Sequence, residues 1–429
     1  MKSNLQLLNF FRKSKSESAS NQLPYRTWPV YFLAFMKTFY QSLFSLALPN
    51  YLIYNDIMDP DMVGVVLSMT ALFYIVTPFI GQLVAKKIGY RNTLIISLFL
   101  SVISYTTQVL FFTPSILIIM QLIEGLSLGL FWPNIMMQIS IWQDISSETQ
   151  NELNFKHFNK SWNYGLLLSF ISGFVIVIQF HNDFIALIAS VVLMFLTVPI
   201  GFFVDSESKI SLIKSQKHLK VQINRPEETI GPEAHGSNYA HLVIPALIAW
   251  ILNLGYTTAK SIFNFNFPYN LKAAGFGSEW RYVFIFGQQA LQIIALNLIG
   301  PMNLRKKVNW VKVCLITDLI MAITLIFIQN IYFIITATVI MGFSTGIKQG
   351  FVMKVNFDHS AKTGDSKYIN IGEIMAGIGF GVTPLWLGLL LDNTSYIWSY
   401  VIYSLFFIPI ILYFFLSLSN IKIEENNGK

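Results

Sequence analysis

GLSLGLFWPN, residues 125–134, and GFSTGIKQGF, residues 342–351, both open Gly-x-Ser-x-Gly. Taken alone, that spelling reads as a serine nucleophile elbow. An elbow needs a strand, a strained turn and a helix, followed in the chain by acidic and histidine partners. Both copies lie instead inside long apolar runs, and none of the six histidines falls in a clearly apolar run. Small residues at i, i+2 and i+4 have another use, which is to let helices approach closely in lipid. The stretch therefore reads as packing, and no enzymatic activity is expected.

The runs around the two copies set the solvent. The chain has 429 residues, 54% hydrophobic and 12% charged, against about a quarter charged in soluble domains. A membrane helix needs roughly 20 mostly apolar residues. Twelve such runs can be read: 28–53, 62–84, 93–112, 115–139, 162–180, 184–204, 242–267, 282–299, 311–328, 332–355, 371–391 and 397–418. They are long and continuously apolar, which favours helices over barrel strands. The formal charge of +7 does not point to nucleic acid, because the basic residues sit in short connecting segments with no basic face. The single Cys314 lies in an apolar run and has no partner for an intrachain disulfide. No cleaved signal peptide is apparent, so the first apolar run is expected to act as the targeting signal.

Lys and Arg favour the cytoplasmic side. With the N-terminus placed inside, 24 of the 29 basic residues fall on the inner segments, and only Lys272 and Arg281 on the outer ones. Both ends are thus expected in the cytoplasm, in the cell membrane. The predicted organisation is an N-tail (1–27), an N-terminal six-helix bundle (28–204), a central cytoplasmic loop (205–238), a C-terminal six-helix bundle (239–419) and a C-tail (420–429). The basic first half of the central loop, KISLIKSQKHLK, either lies along the anionic inner leaflet or is a solvated linker. NLQLLNFFRKSK near the N-terminus is weakly amphipathic and either rests on the membrane surface or is disordered.

The opening echo belongs to a longer repeat. Pro49 and Pro268 are 219 residues apart, as are Gly81 and Gly300. Gly125 and Gly342 are 217 apart, Asn159 and Asn370 211, and Pro199 and Pro409 210. The spacing drifts in one direction, as loop-length differences would produce. Six spans per repeat give the halves the same orientation, related by a pseudo-two-fold axis along the membrane normal.

Twelve spans, the 6+6 arrangement, the long central loop and a basic loop after the second span resemble the major facilitator superfamily over nearly the whole chain. GQLVAKKIGYRN resembles the family's Gly-x-x-x-Asp-Arg/Lys-x-Gly-Arg/Lys loop through Gly81, Lys87, Gly89 and Arg91. It departs by one extra residue between the glycines and by Ala85 or Lys86 at the acidic position; Gln121 stands where the family often has Arg. The resemblance implies an all-α membrane protein that moves a solute between its halves, with a loop that couples to conformational change.

Charged residues at the bilayer centre are costly and usually face a cavity or a partner. By helical rise, Lys37 lies roughly 14 Å from the inner face and Glu124 roughly 15 Å from the outer, the same level in a core of about 30 Å. They are expected to pair at the midplane, facing the transport path; the plainer reading is a static ion pair. Gln41, Gln121 and Trp132 on the same spans, and Asn253 and Tyr256 on the seventh, complete the expected substrate and coupling site. Lys348 and Glu373 are expected as a cytoplasmic gate pair, unless Lys348 snorkels to the interface. Lys260 is expected near the outer surface, and Asp318 has no evident partner.

These features predict a secondary active transporter of a small organic solute, working by alternating access as a monomer in the lipid bilayer. A proton or solute gradient is the expected driving force, since no phosphate-binding loop is present. No metal, cofactor or nucleic acid is expected. The competing readings are a membrane-embedded lipid-modifying enzyme and a receptor-like member of the fold without transport.

Overall fold

The computed structural model describes residues 25–143, 146, 148–206, 208–209, 212–213, 243–328, 330–363 and 367–419. The amphipathic N-tail, most of the central loop and the C-tail lie outside the described residues. Among those described, the chain forms thirteen α-helices and no strand. They are α1 (Trp28–Tyr54), α2 (Pro60–Tyr74), α3 (Thr77–Ile88), α4 (Tyr90–Leu110), α5 (Pro114–Gln143), α6 (Glu148–Phe180) and α7 (Asp183–Gly201). After the central loop come α8 (Ala246–Ala273), α9 (Glu279–Ile299), α10 (Leu304–Phe327), α11 (Ile331–Thr363), α12 (Lys367–Asn393) and α13 (Ile397–Ser419).

Nine of these helices are long and apolar enough to cross a bilayer, and ten if α2 and α3, bent by 45° at Ile75–Val76, form one broken span. The two remaining long helices, α1 and α8, have 27 and 28 residues but carry more polar side chains. Helix α8 starts later and runs further than its apolar run suggested, which places Lys260 at its middle and not near a membrane surface. The prolines of the repeat, Pro49, Pro199, Pro268 and Pro409, all lie inside helices. Membrane helices tolerate this because neighbouring groups take up the freed carbonyls.

Helix α1 packs on α6 and α7, α4 on α5 and α7, and α5 on the α2–α3 pair. In the second half α8 packs on α12 and α13, α10 on α11 and α13, and α11 on α9. The halves meet chiefly where α2 lies along α12 and α6 along α9. We call the end that carries residues 55–59, 181–182 and 274–278 the distal end, and the end where residues 25 and 419 lie the proximal end.

The Gly-x-Ser-x-Gly stretches do what their small residues predicted. A Cβ on Gly125 would meet the Thr70 carbonyl oxygen at 2.6 Å, and one on Gly129 would meet Thr77 at 2.1 Å. In the second copy, a Cβ on Gly342 would meet the Gln288 carbonyl at 1.9 Å, and one on Gly346 the Gln292 carbonyl at 2.3 Å. Each copy thus seats its helix directly on the backbone of α2–α3 or α9. Gly342→Ala is expected to force α11 off α9, at a cost of about 1–3 kcal/mol or more. Gly287→Ala, whose Cβ would meet only Val339 at 3.6 Å, should leave the melting temperature of the purified protein almost unchanged.

Candidate functional site

Lys37 and Glu124 do meet. The Lys37 ammonium lies 2.9 Å from Glu124 Oε1, and their side chains are 0% and 3% exposed. Lys37 also donates to Ser101 Oγ at 2.6 Å, while Glu124 accepts from Ser101 at 2.9 Å and from the Tyr105 hydroxyl at 3.1 Å. The Tyr40 and Phe131 rings stand 5.2 and 5.7 Å from the ammonium. Every one of these partners belongs to α1, α4 or α5. The pair is therefore enclosed within the first half, where it ties three helices together, and it does not open onto the space between halves. Ser127, the serine of the first Gly-x-Ser-x-Gly, closes the cluster by donating to the Ser97 carbonyl at 2.8 Å.

Gln121 is likewise internal. It donates to Gln108 Oε1 at 2.7 Å and accepts from the Thr70 hydroxyl, so it bridges α5 to α4 and α2. Gln41 and Trp132 are half-buried, and Trp132 stands edge-on to Phe131.

The expected gate pair does not form. Lys348 bonds Asp318 of α10 instead, with both side chains 0% exposed, and the Phe407 ring of α13 covers the ammonium at 5.7 Å. The long lysine side chain reaches its nearest buried carboxylate inside its own half, so Asp318 has a partner after all. Glu373, left without a cation among the described residues, is exposed. Each half thus buries one ion pair between its own helices.

In the loop after the second span, Gly89 has φ +89° at the junction of α3 and α4, a conformation side-chain-bearing residues seldom adopt. Arg91 donates to the Phe202 carbonyl at 2.7 Å, pinning the end of α7. Lys87 is exposed. Gly81 is not in the loop; it lies within α3, where a Cβ would meet the Gly129 carbonyl at 2.3 Å.

Sequence reasoning missed the polar cluster that joins the halves at the distal end. Asp183, at the start of α7, accepts from Asn50 at 3.2 Å, from the Tyr282 hydroxyl at 3.0 Å and from Ser278. Arg281 donates to Asn50 Oδ1 at 2.7 Å, to the Leu46 carbonyl at 3.4 Å and to the Asn264 carbonyl at 3.2 Å. All five polar residues of the cluster are buried, Ser278 the least at 9% exposure. Lys272 adds a rim contact to Asp56 at 2.5 Å and to the Ile53 carbonyl at 2.7 Å. A cavity of about 390 Å³ opens beside the cluster, lined by Tyr51, Tyr54 and Glu279 among others. The sequence signal is a pair of opposite charges at the ends of apolar runs, a position where a charge ordinarily belongs to a loop.

In the second half, Asn253 donates to the Gly372 carbonyl at 2.7 Å. Lys260 donates to Gln292 at 2.8 Å, and Gln292 in turn to Gln349 at 2.6 Å, a chain across α8, α9 and α11. Tyr256 is buried on the same face of α8. Among the described residues, no three His, Cys, Asp or Glu gather to hold a metal ion.

Long apolar helices, ion pairs buried at membrane depth and glycine-to-backbone packing define an integral, multi-pass membrane protein. The profile of the Major Facilitator Superfamily matches residues 30–310, and the chain belongs to this family of membrane transporters. Its structure is similar to that of the nucleoside transporter NupG, with TM-score 0.64 and 14% identity over 91% of this chain and 98% of that one. A point mutant of NupG gives TM-score 0.65 and 12% identity over 91% and 99%. At this identity the likeness is one of fold. No curated protein matches the sequence significantly.

Proposed function

We propose that the protein is a secondary active transporter that moves a small organic solute by alternating access, driven by a proton or solute gradient. In this reading it crosses the cell membrane twelve times. Helices α1 and α8 are two of the spans, and α2 with α3 is one broken span. Matching helix pairings on the two sides of the central loop support two six-helix halves related by a two-fold axis. The asymmetry of Lys and Arg supports placing both chain ends in the cytoplasm, which makes the distal end the outer one.

The observation that carries the reading is where the halves are joined. Their hydrogen bonds cluster at the distal end, around Asp183 and Arg281, while the first half's ion pair and that of the second each stay within their own helices. Two rigid halves latched at one end are what alternating access requires, and in this reading the latched end is the outer one. The test is flux into proteoliposomes under imposed proton and sodium gradients, with a mixed pool of labelled metabolites, nucleosides included. Accumulation of a solute that collapses when the gradient is dissipated is expected. Absence of gradient-dependent accumulation of any solute would remove the proposal.

A further inference from the structure

Four charged residues set within the helices neutralise one another in the buried pairs Lys37–Glu124 and Lys348–Asp318. Glu373 and Lys260, of opposite sign, have no ionic partner among the described residues.

The exposure of Glu373 has a geometric cause. Gly377 and Gly381 of α12 lie on α2, where added Cβ atoms would meet Ile75 at 2.8 Å and Leu72 at 2.8 Å. Glu373 is the next residue of that stripe, one turn toward the proximal end. There α2 stops and the chain bends by 45° at Ile75–Val76, so the helix that would cover Glu373 turns away. Tyr74 from the first half and Tyr256 from the second lie within Coulomb range of the carboxylate, which puts it at the junction of the halves.

Beside it stand two acceptors with no donor. Asn253 and Asn356 flank Gly372, the neighbour of Glu373; a Cβ there would lie 2.6 Å from the Asn356 amide. Both asparagines are buried, at 5% and 6% exposure. The Oδ1 atom of each lacks a hydrogen-bond partner. A buried acceptor left unmade is costly, and an exposed carboxylate at the junction of the halves, with two unmade acceptors on the side chains around its neighbour Gly372, favours a ligand with several N–H donors and a positive charge. A primary ammonium has three.

Lys260 presents the complementary end. It lies seven residues beyond Asn253 on α8, roughly 10 Å along the helix, and one turn from Tyr256 on the same face. Among the described residues it bonds the neutral Gln292, at 2.8 Å, and no carboxylate pairs with it.

We infer that Glu373 binds a primary ammonium, and Lys260 an acidic group, of one elongated zwitterionic solute. This rests on the transport reading and names its substrate class. The spacing suits a molecule whose charges are separated by several bonds, such as an ω-amino acid, and disfavours an α-amino acid.

The test is calorimetric binding of 6-aminohexanoate, hexylamine, hexanoate and 1-hexanol to the purified full-length protein. In the wild type, 6-aminohexanoate is expected to bind most tightly. Glu373→Gln should weaken 6-aminohexanoate and hexylamine by about 10- to 100-fold, the size of a charge-assisted hydrogen bond, and leave hexanoate unchanged. Lys260→Gln should do the converse, and Glu373→Asp should restore part of the ammonium affinity if Glu373→Gln has kept its fold. Equal binding of 1-hexanol, uniform weakening of all four, or no binding of 6-aminohexanoate to the wild type overturns the assignment. Gradient-driven uptake of some other solute alongside that last result would leave the transport reading standing without the substrate class.

Discussion

Glu124→Ala lowers the stability of the purified protein by about 3–5 kcal/mol, the usual cost of stranding one member of a buried ion pair. The Lys37 ammonium, 0% exposed, then keeps only Ser101 and Ser127 as polar neighbours. Neither hydroxyl supplies the missing negative charge. The double replacement Lys37→Met with Glu124→Leu removes both charges and fills similar volume, so it should recover most of the loss. Thermal unfolding in detergent reads both. A double variant as unstable as the single one would mean that the cluster depends on its charges for more than mutual neutralisation, and would return the pair to the list of coupling residues.

The second large effect concerns the distal cluster. Asp183→Ala leaves the side chains of Asn50, Ser278 and Tyr282 as buried donors with one acceptor fewer. Each stranded group costs about 1–3 kcal/mol in the closed state, whereas water satisfies it once the halves part. A differential of about 3 kcal/mol changes the ratio of the two states more than a hundredfold. Spin labels at Ile57 and Ala274, both exposed on the distal face of opposite halves, should report a shift toward longer separations. Arg281→Ala should act in the same direction, since its guanidinium spans α1 and α8. Unchanged distances in both variants would rule out the cluster as a closure between the halves.

The helical, membrane-embedded character was legible in the sequence because apolar runs of span length have no other solvent to satisfy. Packing was legible too: Gly125, Gly129, Gly342 and Gly346 announced close helix contacts, and the backbone carbonyls beneath them bear this out. Depth counting correctly brought Lys37 to Glu124, because rise per residue fixes level whatever the neighbours do. It failed for Lys348 because level says nothing about azimuth. Asp318 and Glu373 are both reachable in principle, and only the rotation of α10 and α12 decides between them. For the same reason, facing could not be read for Lys37: a midplane charge looks alike whether it points to a passage or into a three-helix seam. The distal cluster escaped because Asp183 and Arg281 sit at the first turns of α7 and α9, where a loop charge is the ordinary reading. The break at Ile75–Val76 was marked by Pro78, which starts the next helix, but the apolar run on both sides of it reads as one span.

Along the seam between α2 and α12, main chain repeatedly meets main chain. Gly64 faces the carbonyl of Pro384, Gly388 faces that of Pro60, and Gly381 rests on the amide of Leu72. Main chain against main chain offers few interlocking knobs at these points, and Leu72 and Ile75 press on the same track at Gly381 and Gly377. Under the transport reading this seam would serve as a bearing, with grip reserved for the polar clasp at the far rim. A single bulky residue set into that track would jam the pivot in one posture while leaving each bundle perfectly folded.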